Sequence, residues 1–202
     1  MIMDNTVNIA IFASGGGSNA RKIMEHFQAS QIGKVALIVC NKPEAGVLDI
    51  AREFDIPSIL ITRKQFYESR DVLETLEKYN IGFIVLAGFL WLIPDYLVQA
   101  YPNKIVNIHP ALLPKYGGKG MYGMNVHKAV KANGESQSGI SIHFVNEHYD
   151  EGNLIFQATC ALKPEDDAAT IAKKVLEVEH RHYTRVIETI IQTMQKEERN
   201  DL

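Results

Sequence analysis

The sequence predicts an α/β fold: a doubly wound, mostly parallel sheet that ends in an antiparallel hairpin and is closed by one long C-terminal helix. Three observations carry this expectation. Short β-branched apolar runs alternate with helix-length amphipathic segments through the first two thirds of the chain, as βαβ units require. Two later runs, SGISIHFV and NLIFQATCAL, are separated by NEHYDEG, a connection too short for a crossover helix. Beyond Asp166, apolar residues return at helical spacing.

Taken in order, the strands are VNIAIFA from Val7, KVALIVC from Lys34, PSILIT from Pro57, GFIVLAG from Gly82 and KIVNIH from Lys104. Near-continuous apolar runs of this kind suit parallel strands covered on both faces. Helices are expected over Asn19 to Ser30, Ala45 to Phe54 and Lys64 to Tyr79, with another near Val126 to Ala132 that Gly134 terminates. Asp150 and Gly152 give the hairpin its turn chemistry. Ile171, Val175, Val178, Val186, Ile190 and Met194 then form the apolar stripe of a long helix that docks on the sheet before the charged tail KEERNDL. The arrangement is Rossmann-like. With 202 residues and 46% hydrophobic content, residues 1–202 are expected to form a single domain.

Composition narrows the function. A net charge of −3 with evenly mixed signs offers no basic face for a long nucleic acid, which leaves small anionic ligands open. Cys40 and Cys160 sit in strand-like apolar runs and read as buried free thiols. The start MIMDNTVNIA has no leader pattern and no run is long enough to span a bilayer, so a cytoplasmic protein without a membrane partner is expected. The histidines lack companion ligands at metal spacing, and no metal is expected.

In ASGGGSNARKI, glycines lie between a buried strand and a helix, where exposed amides and the helix dipole favour an anion such as phosphate. Gly15, Gly17 and Ala20 satisfy the dinucleotide spacing, but Cys40, Asn41 and Lys42 follow the second strand where a nicotinamide enzyme would carry an acid for the ribose. No lysine follows the glycines as a P-loop requires. A plain tight turn, with Ser18 or Asn19 capping the helix, is the competing reading.

Asn107 and His109, two apart at the end of the fifth strand, point the same way at the carboxyl edge of the sheet, where such folds bind ligands. An imidazolium can stabilise an oxyanion and give a proton, and an amide can hold a carbonyl oxygen, which suits acyl or formyl transfer. No nucleophilic Ser or Cys with a base is evident, so direct attack by a substrate amine is expected. A carboxylate is needed to raise the pKa of the histidine and orient its ring, and Asp150 is the candidate. Ordinary structural roles, a hydrogen-bonding histidine and a turn aspartate, compete with this reading.

SGGGSN, LAGFLWLIP, NIHPALLPKYGG and HFVNEHYDEG together resemble the glycinamide ribonucleotide transformylases (phosphoribosylglycinamide formyltransferases), in family order and over nearly the whole chain. The resemblance implies transfer of the formyl group of 10-formyltetrahydrofolate, a cosubstrate rather than a tightly bound cofactor, to the amine of glycinamide ribonucleotide in purine synthesis. It implies that Asn107 and protonated His109 stabilise the oxyanion while Asp150 keeps His109 protonated and passes the proton of the amine through water. Gly17, Ser18 and Asn19 match the phosphate-holding positions and Glu179 a further substrate contact. Arg70, Leu90, Trp91, Leu92, Ile93, Asn146, Glu147, His148, Tyr149 and Asp150, together with Asn107, match the folate side. A solvated helix arginine is the bland alternative for Arg70, and a solvated loop residue for His148.

Two departures stand out. Trp91 occupies a position where many family members have arginine, and core packing is its first expectation, rimming the folate cleft its second. GGKGMYGMNVH is longer than the usual segment, a flexible lid or a passive insertion. Partners are the two small molecules, and a homodimer is left open. Within the superfamily, a methionyl-tRNA formyltransferase would add a basic domain after this one, and a formyltetrahydrofolate deformylase would place a regulatory domain before it; neither is expected here. Outside enzymes, a nucleotide-binding module that kept the phosphate loop is the alternative.

Overall fold

A computed structural model of the chain describes residues 6–200. The first five residues, read above for a leader, and the last two of the charged tail lie outside them. Seven strands form one sheet: β1 (Val7–Ala13), β2 (Gly33–Cys40), β3 (Ser58–Leu60), β4 (Ile81–Leu86), β5 (Ile105–His109), β6 (Gln137–Phe144) and β7 (Leu154–Ala161). Their order is β3-β2-β1-β4-β5-β6-β7, parallel through β5 and antiparallel for β5–β6 and β6–β7. The chain reverses its winding between β1 and β4, and their carboxyl ends open the crevice used by doubly wound sheets.

Alternate residues of each inner strand feed two cores. Ile9, Ile11, Phe83, Val85, Val106 and Ile108 face one side, against α1 (Ser18–Phe27), α2 (Val47–Glu53), α6 (Met124–Ala132) and α7 (Ala168–Asn200). Ala10, Phe12, Leu37, Ile84 and Leu86 face the other, against α3 (Arg63–Tyr67), α4 (Asp71–Lys78) and α5 (Asp95–Ala100). The long α7 carries the expected stripe. Its Tyr183 is fully buried and donates its hydroxyl to the carbonyls of Leu86 and Val106, at 2.8 and 3.3 Å, which fixes the helix against the end of β4 and the start of β5.

Two local expectations are corrected. The helix read over Lys64 to Tyr79 is two helices: Thr62 and Gln65 form a capping box that starts α3, and the Ser69 hydroxyl accepts from the Asp71 amide where α4 begins. Helical periodicity continues across the break, so apolar spacing alone conceals it. Cys40 is buried, but Cys160 is only half-buried because β7 is an edge strand. Helix α6 does end at Gly134, in the left-handed region at φ 62°.

Candidate functional site

At the winding reversal, the loop after β1 is stitched to the loop after β4. The Ser14 amide donates to the Gly88 carbonyl (3.1 Å) and its hydroxyl accepts from the Leu90 amide (3.0 Å). A cleft of about 680 Å³ opens beside this seam. Asn19 and Glu179 line one part of it, Asn107 and His109 another, and Leu90 to Ile93 with His148 to Asp150 a third. A smaller recess of about 510 Å³ lies between Ser14 to Gly16 and Lys42 to Gly46.

Gly17 is the N-cap of α1, left-handed at φ 79°, and an added Cβ would sit 2.9 Å from Val47. Neither Ser18 nor Asn19 caps the helix, since both lie within it and the N-cap makes no side-chain bond. No acidic side chain of α1 itself occupies the first turn. The Asn19 amide instead donates to Glu179 Oε2 at 2.6 Å. Burial raises the pKa of Glu179, and the bond from Asn19 only partly opposes it.

His109 is buried at the end of β5. Its Nε2 lies 2.7 Å from the Tyr116 carbonyl, which can only accept, so Nε2 carries a proton. Nδ1 then faces Asp150 Oδ2 at 3.4 Å. The same oxygen accepts the Gly118 amide at 3.0 Å. Asp150 itself adopts φ 57°, which aspartate tolerates better than most residues, and this turns its carboxylate back under the loop. Hydrogen bonds and the neighbouring imidazoles hold its pKa below the ordinary value despite burial.

Asp150 acts on His109 in the expected direction, raising its pKa, against a larger opposing effect. Burial is the dominant influence and lowers it; Asp150 and the Tyr116 carbonyl push in the opposite direction without reversing the outcome.

Asn107 meets two neighbours. Its Nδ2 lies 3.2 Å from His143 Nε2 and 3.4 Å from Asp150 Oδ1. His143 donates Nδ1–H to the Phe144 carbonyl at 2.8 Å, and its Nε2 also stands 3.5 Å from Asp150 Oδ1. Asn107, His143 and Asp150 thus form one polar cluster, in which Asp150 Oδ1 accepts from the Asn107 amide nitrogen.

On the expected folate side, Leu90 and Tyr149 are exposed at the cleft while Ile93 is buried. Trp91 packs with Phe66, Tyr67 and Phe89, as its first expectation has it, lies under the Arg63 guanidinium, and also lines the cleft. Leu92 lines the cleft, and its carbonyl accepts the Tyr67 hydroxyl at 3.0 Å. Arg70 stands outside the lining, exposed, with its guanidinium 5.7 Å from the Tyr96 ring centre. Asn146 and exposed Glu147 are also outside it; the Asn146 side chain accepts the His148 amide at 3.0 Å and shapes the turn. The longer segment enters the site, since Gly118 to Gly123 line the cleft.

Three participants escaped the sequence reading. His143 pairs directly across from Asn107 in the β5–β6 register, a signal available only once that register is known. The Tyr116 carbonyl depends on a left-handed backbone at φ 58°. His127, on α6, lines the cleft with a buried Nδ1 that has no partner, and burial followed by the nearness of His109 lowers its pKa. Among the described residues, no cluster of three or more His, Cys, Asp or Glu could hold a metal ion, and no helix is long and apolar enough to cross a membrane.

Comparison with known proteins gives a consistent result. Residues 7–187 match the family model for formyl transferase. The chloroplastic phosphoribosylglycinamide formyltransferase of Arabidopsis thaliana is 46% identical over 189 residues, which cover 90% of this chain and 64% of that protein. The phosphoribosylglycinamide formyltransferase of Bacillus subtilis (strain 168) is 37% identical over 192 residues, covering 90% of this chain and 93% of that one. Among solved structures, the phosphoribosylglycinamide formyltransferase from Bacillus halodurans superposes with a TM-score of 0.82 at 33% identity, over 91% of this chain and 95% of that one. The chain therefore spans less than two thirds of the length of the plant relative.

Proposed function

Because the chain belongs to the formyl transferase family, we propose that it carries the formyl group of 10-formyltetrahydrofolate to the primary amine of glycinamide ribonucleotide, a step of purine synthesis. The observation that carries this reading is that buried His109 and partly buried Asp150, 3.4 Å apart, share one cleft with two chemically different sets of lining residues. The part bearing Asn19 and Glu179 suits a ribonucleotide: the N-terminal turn of α1 for phosphate, and a carboxylate able to accept from sugar hydroxyls. The other part, walled by Leu90 to Ile93 and Tyr149, suits a flat heteroaromatic ring with polar edges.

In the proposed reaction the amine nitrogen attacks the formyl carbon, whose oxygen becomes anionic as a tetrahedral intermediate forms. His109 stabilises that oxygen from Nε2–H, which the Tyr116 carbonyl occupies in the free protein. Asp150 lies beside Nδ1 and favours the imidazolium, offsetting the effect of burial as charge develops. The proton shed by the attacking nitrogen passes through Asp150, directly or by water, to N10 of the folate. Breaking of the bond between the formyl carbon and N10 then releases tetrahydrofolate and the formylated amine. No covalent enzyme intermediate and no metal is required.

The test is turnover by the purified chain, following the folate product with and without the amine. Amine-dependent formation of tetrahydrofolate supports the proposal. Folate breakdown that ignores the amine, or no reaction, overturns it.

A further inference from the structure

We propose that Arg63, held against the Trp91 ring at the rim of the cleft, is a specificity-determining residue that pairs with the carboxylates on the glutamate tail of the folate cosubstrate. The inference rests on the function proposed above and assigns the outer edge of its folate side. Its starting point is the wall formed by Leu90 to Ile93. Trp91 belongs to that wall, and the Arg63 guanidinium carbon lies 5.2 Å from the centre of its ring. Arg63 itself is exposed and outside the lining, so it stands where the wall meets solvent.

The local structure holds this cation in place. Arg63 is the first residue of α3, whose start is set by the capping box of Thr62 and Gln65. Tyr67, one turn further along, stacks on Trp91 with ring centres 6.1 Å apart and donates its hydroxyl to the Leu92 carbonyl. Burial raises the Tyr67 pKa, Tyr149 adds to the rise and the Arg63 charge opposes it, which puts Arg63 and Tyr149 on either side of that phenol. Arg63 thus belongs to the same aromatic rim as Trp91, Tyr67 and Tyr149. Among the described residues its guanidinium has no hydrogen bond or ion pair. The other arginine of the segment, Arg70, is carried by Tyr96, a ring outside the lining.

A carboxylate is the natural partner for a guanidinium so placed. Stacking on an indole engages the face of the group and leaves its in-plane N–H donors for a bidentate acceptor. The ring also restricts the side chain before the ligand arrives, which lowers the entropy lost on pairing. A folate joins a flat pterin through p-aminobenzoate to glutamate. With the pterin against Leu90 to Ile93 and Tyr149, the benzoyl ring follows the apolar wall, and the charged end must leave it for water or a cation. Arg63 meets it there.

The test compares 10-formyltetrahydrofolate with 10-formyltetrahydropteroate, which lacks the glutamate, as cosubstrates at saturating glycinamide ribonucleotide. Arg63→Leu should raise KM for the folate by about tenfold and change KM for the pteroate less than twofold, with kcat unchanged for both. Arg63→Lys keeps the charge without the planar fork and should restore part of the preference. Raising the salt concentration should narrow the preference of the wild type and leave that of Arg63→Leu alone, a response that a purely structural role would not give. Lys78→Leu, at the end of α4 and beside the start of β4, removes one charge at the opposite edge of the sheet and should do nothing. Equal effects on the two cosubstrates in Arg63→Leu, or a preference lost in Lys119→Leu and kept in Arg63→Leu, overturn this proposal and leave the formyl transfer reading standing. A wild-type chain that turns over neither cosubstrate removes that reading, and this proposal with it.

Discussion

Gly152→Ala adds one methyl group, and the structure states where it would go: 1.7 Å from the Phe144 carbonyl oxygen and 2.7 Å from its carbon. Carbon and oxygen without a bond between them essentially never approach closer than 3.0 Å, so the two backbones must part by about 1.3 Å or more. Neither side yields easily. The Phe144 amide donates to the Asn153 carbonyl at 2.9 Å, and the Phe144 carbonyl is the acceptor that sets the His143 ring. Asp150 is two residues before the added methyl. Overpacking of this kind costs about 1–3 kcal/mol, or a Tm lower by roughly 2–10 °C for a chain of this size. A misplacement of about 1 Å near a reacting centre costs on the order of 10²-fold in rate. Steady-state turnover at saturating substrates should therefore fall by about two orders of magnitude, while affinity for the ribonucleotide, anchored on α1 and α7, changes little. Gly15→Ala is the control for stability, because no atom lies within 4 Å of its added Cβ. A Gly152→Ala enzyme with a wild-type Tm and a rate within threefold of wild type would refute the steric reasoning.

Glu179→Gln should stabilise the protein while weakening it as an enzyme. The folded pKa of Glu179 is raised above 4.5, so burial of its charge opposes folding above that pH, and a neutral amide that keeps the bond from Asn19 relieves this by about 0.5–2 kcal/mol. Thermal melts at pH 7 should show the gain, and ribonucleotide titration the loss of affinity. Acid stability follows from Asp150 and His109. Both folded pKa values lie below their ordinary values, 3.8 and 6.5, so the unfolded chain takes up protons first. Urea midpoints should fall as pH drops below about 6.5 and fall again below about 3.8; in Asp150→Asn the second contribution disappears, and a midpoint indifferent to pH in the wild type would contradict the assignment. Glu135 accepts the Tyr116 hydroxyl at 2.8 Å and the Lys115 ammonium at 3.0 Å, and so holds the residue whose carbonyl meets His109. Glu135→Gln should shift the pH profile of kcat with little change in KM for either substrate, and an unchanged profile would separate that network from His109.

Much of the fold was legible because its signals are local or periodic. Continuous apolar runs gave each parallel strand from Val7 to His109, and the short NEHYDEG connection gave the antiparallel hairpin. The break between α3 and α4 was hidden because Phe66, Val72 and Leu76 keep a helical spacing across it, while the cause, a capping box at Thr62 and a hydroxyl at Ser69, acts over two or three residues that polar side chains occupy for many other reasons. Cys160 was misjudged as buried because composition cannot tell an edge strand from a central one; its place was fixed by β7 having no neighbour beyond it in the described sheet.

The candidate site divides along the same line. Residue types and positions were readable, since Asn107 and His109 follow from strand alternation and Asp150 from the turn that needs a residue tolerant of a left-handed backbone. What those groups offer a substrate was not, because that depends on acceptors brought in from elsewhere. The Tyr116 carbonyl decides which His109 nitrogen holds the resting proton, and burial, a property of the whole fold, outweighs Asp150 in setting its pKa. In the same way, the Asn107 amide meets Asp150 from the hairpin turn and His143 from the facing strand, neighbours that only the β5–β6 register brings to it. Donor and acceptor identity is thus a property of the network that the fold assembles around each side chain, and not of the residue type alone.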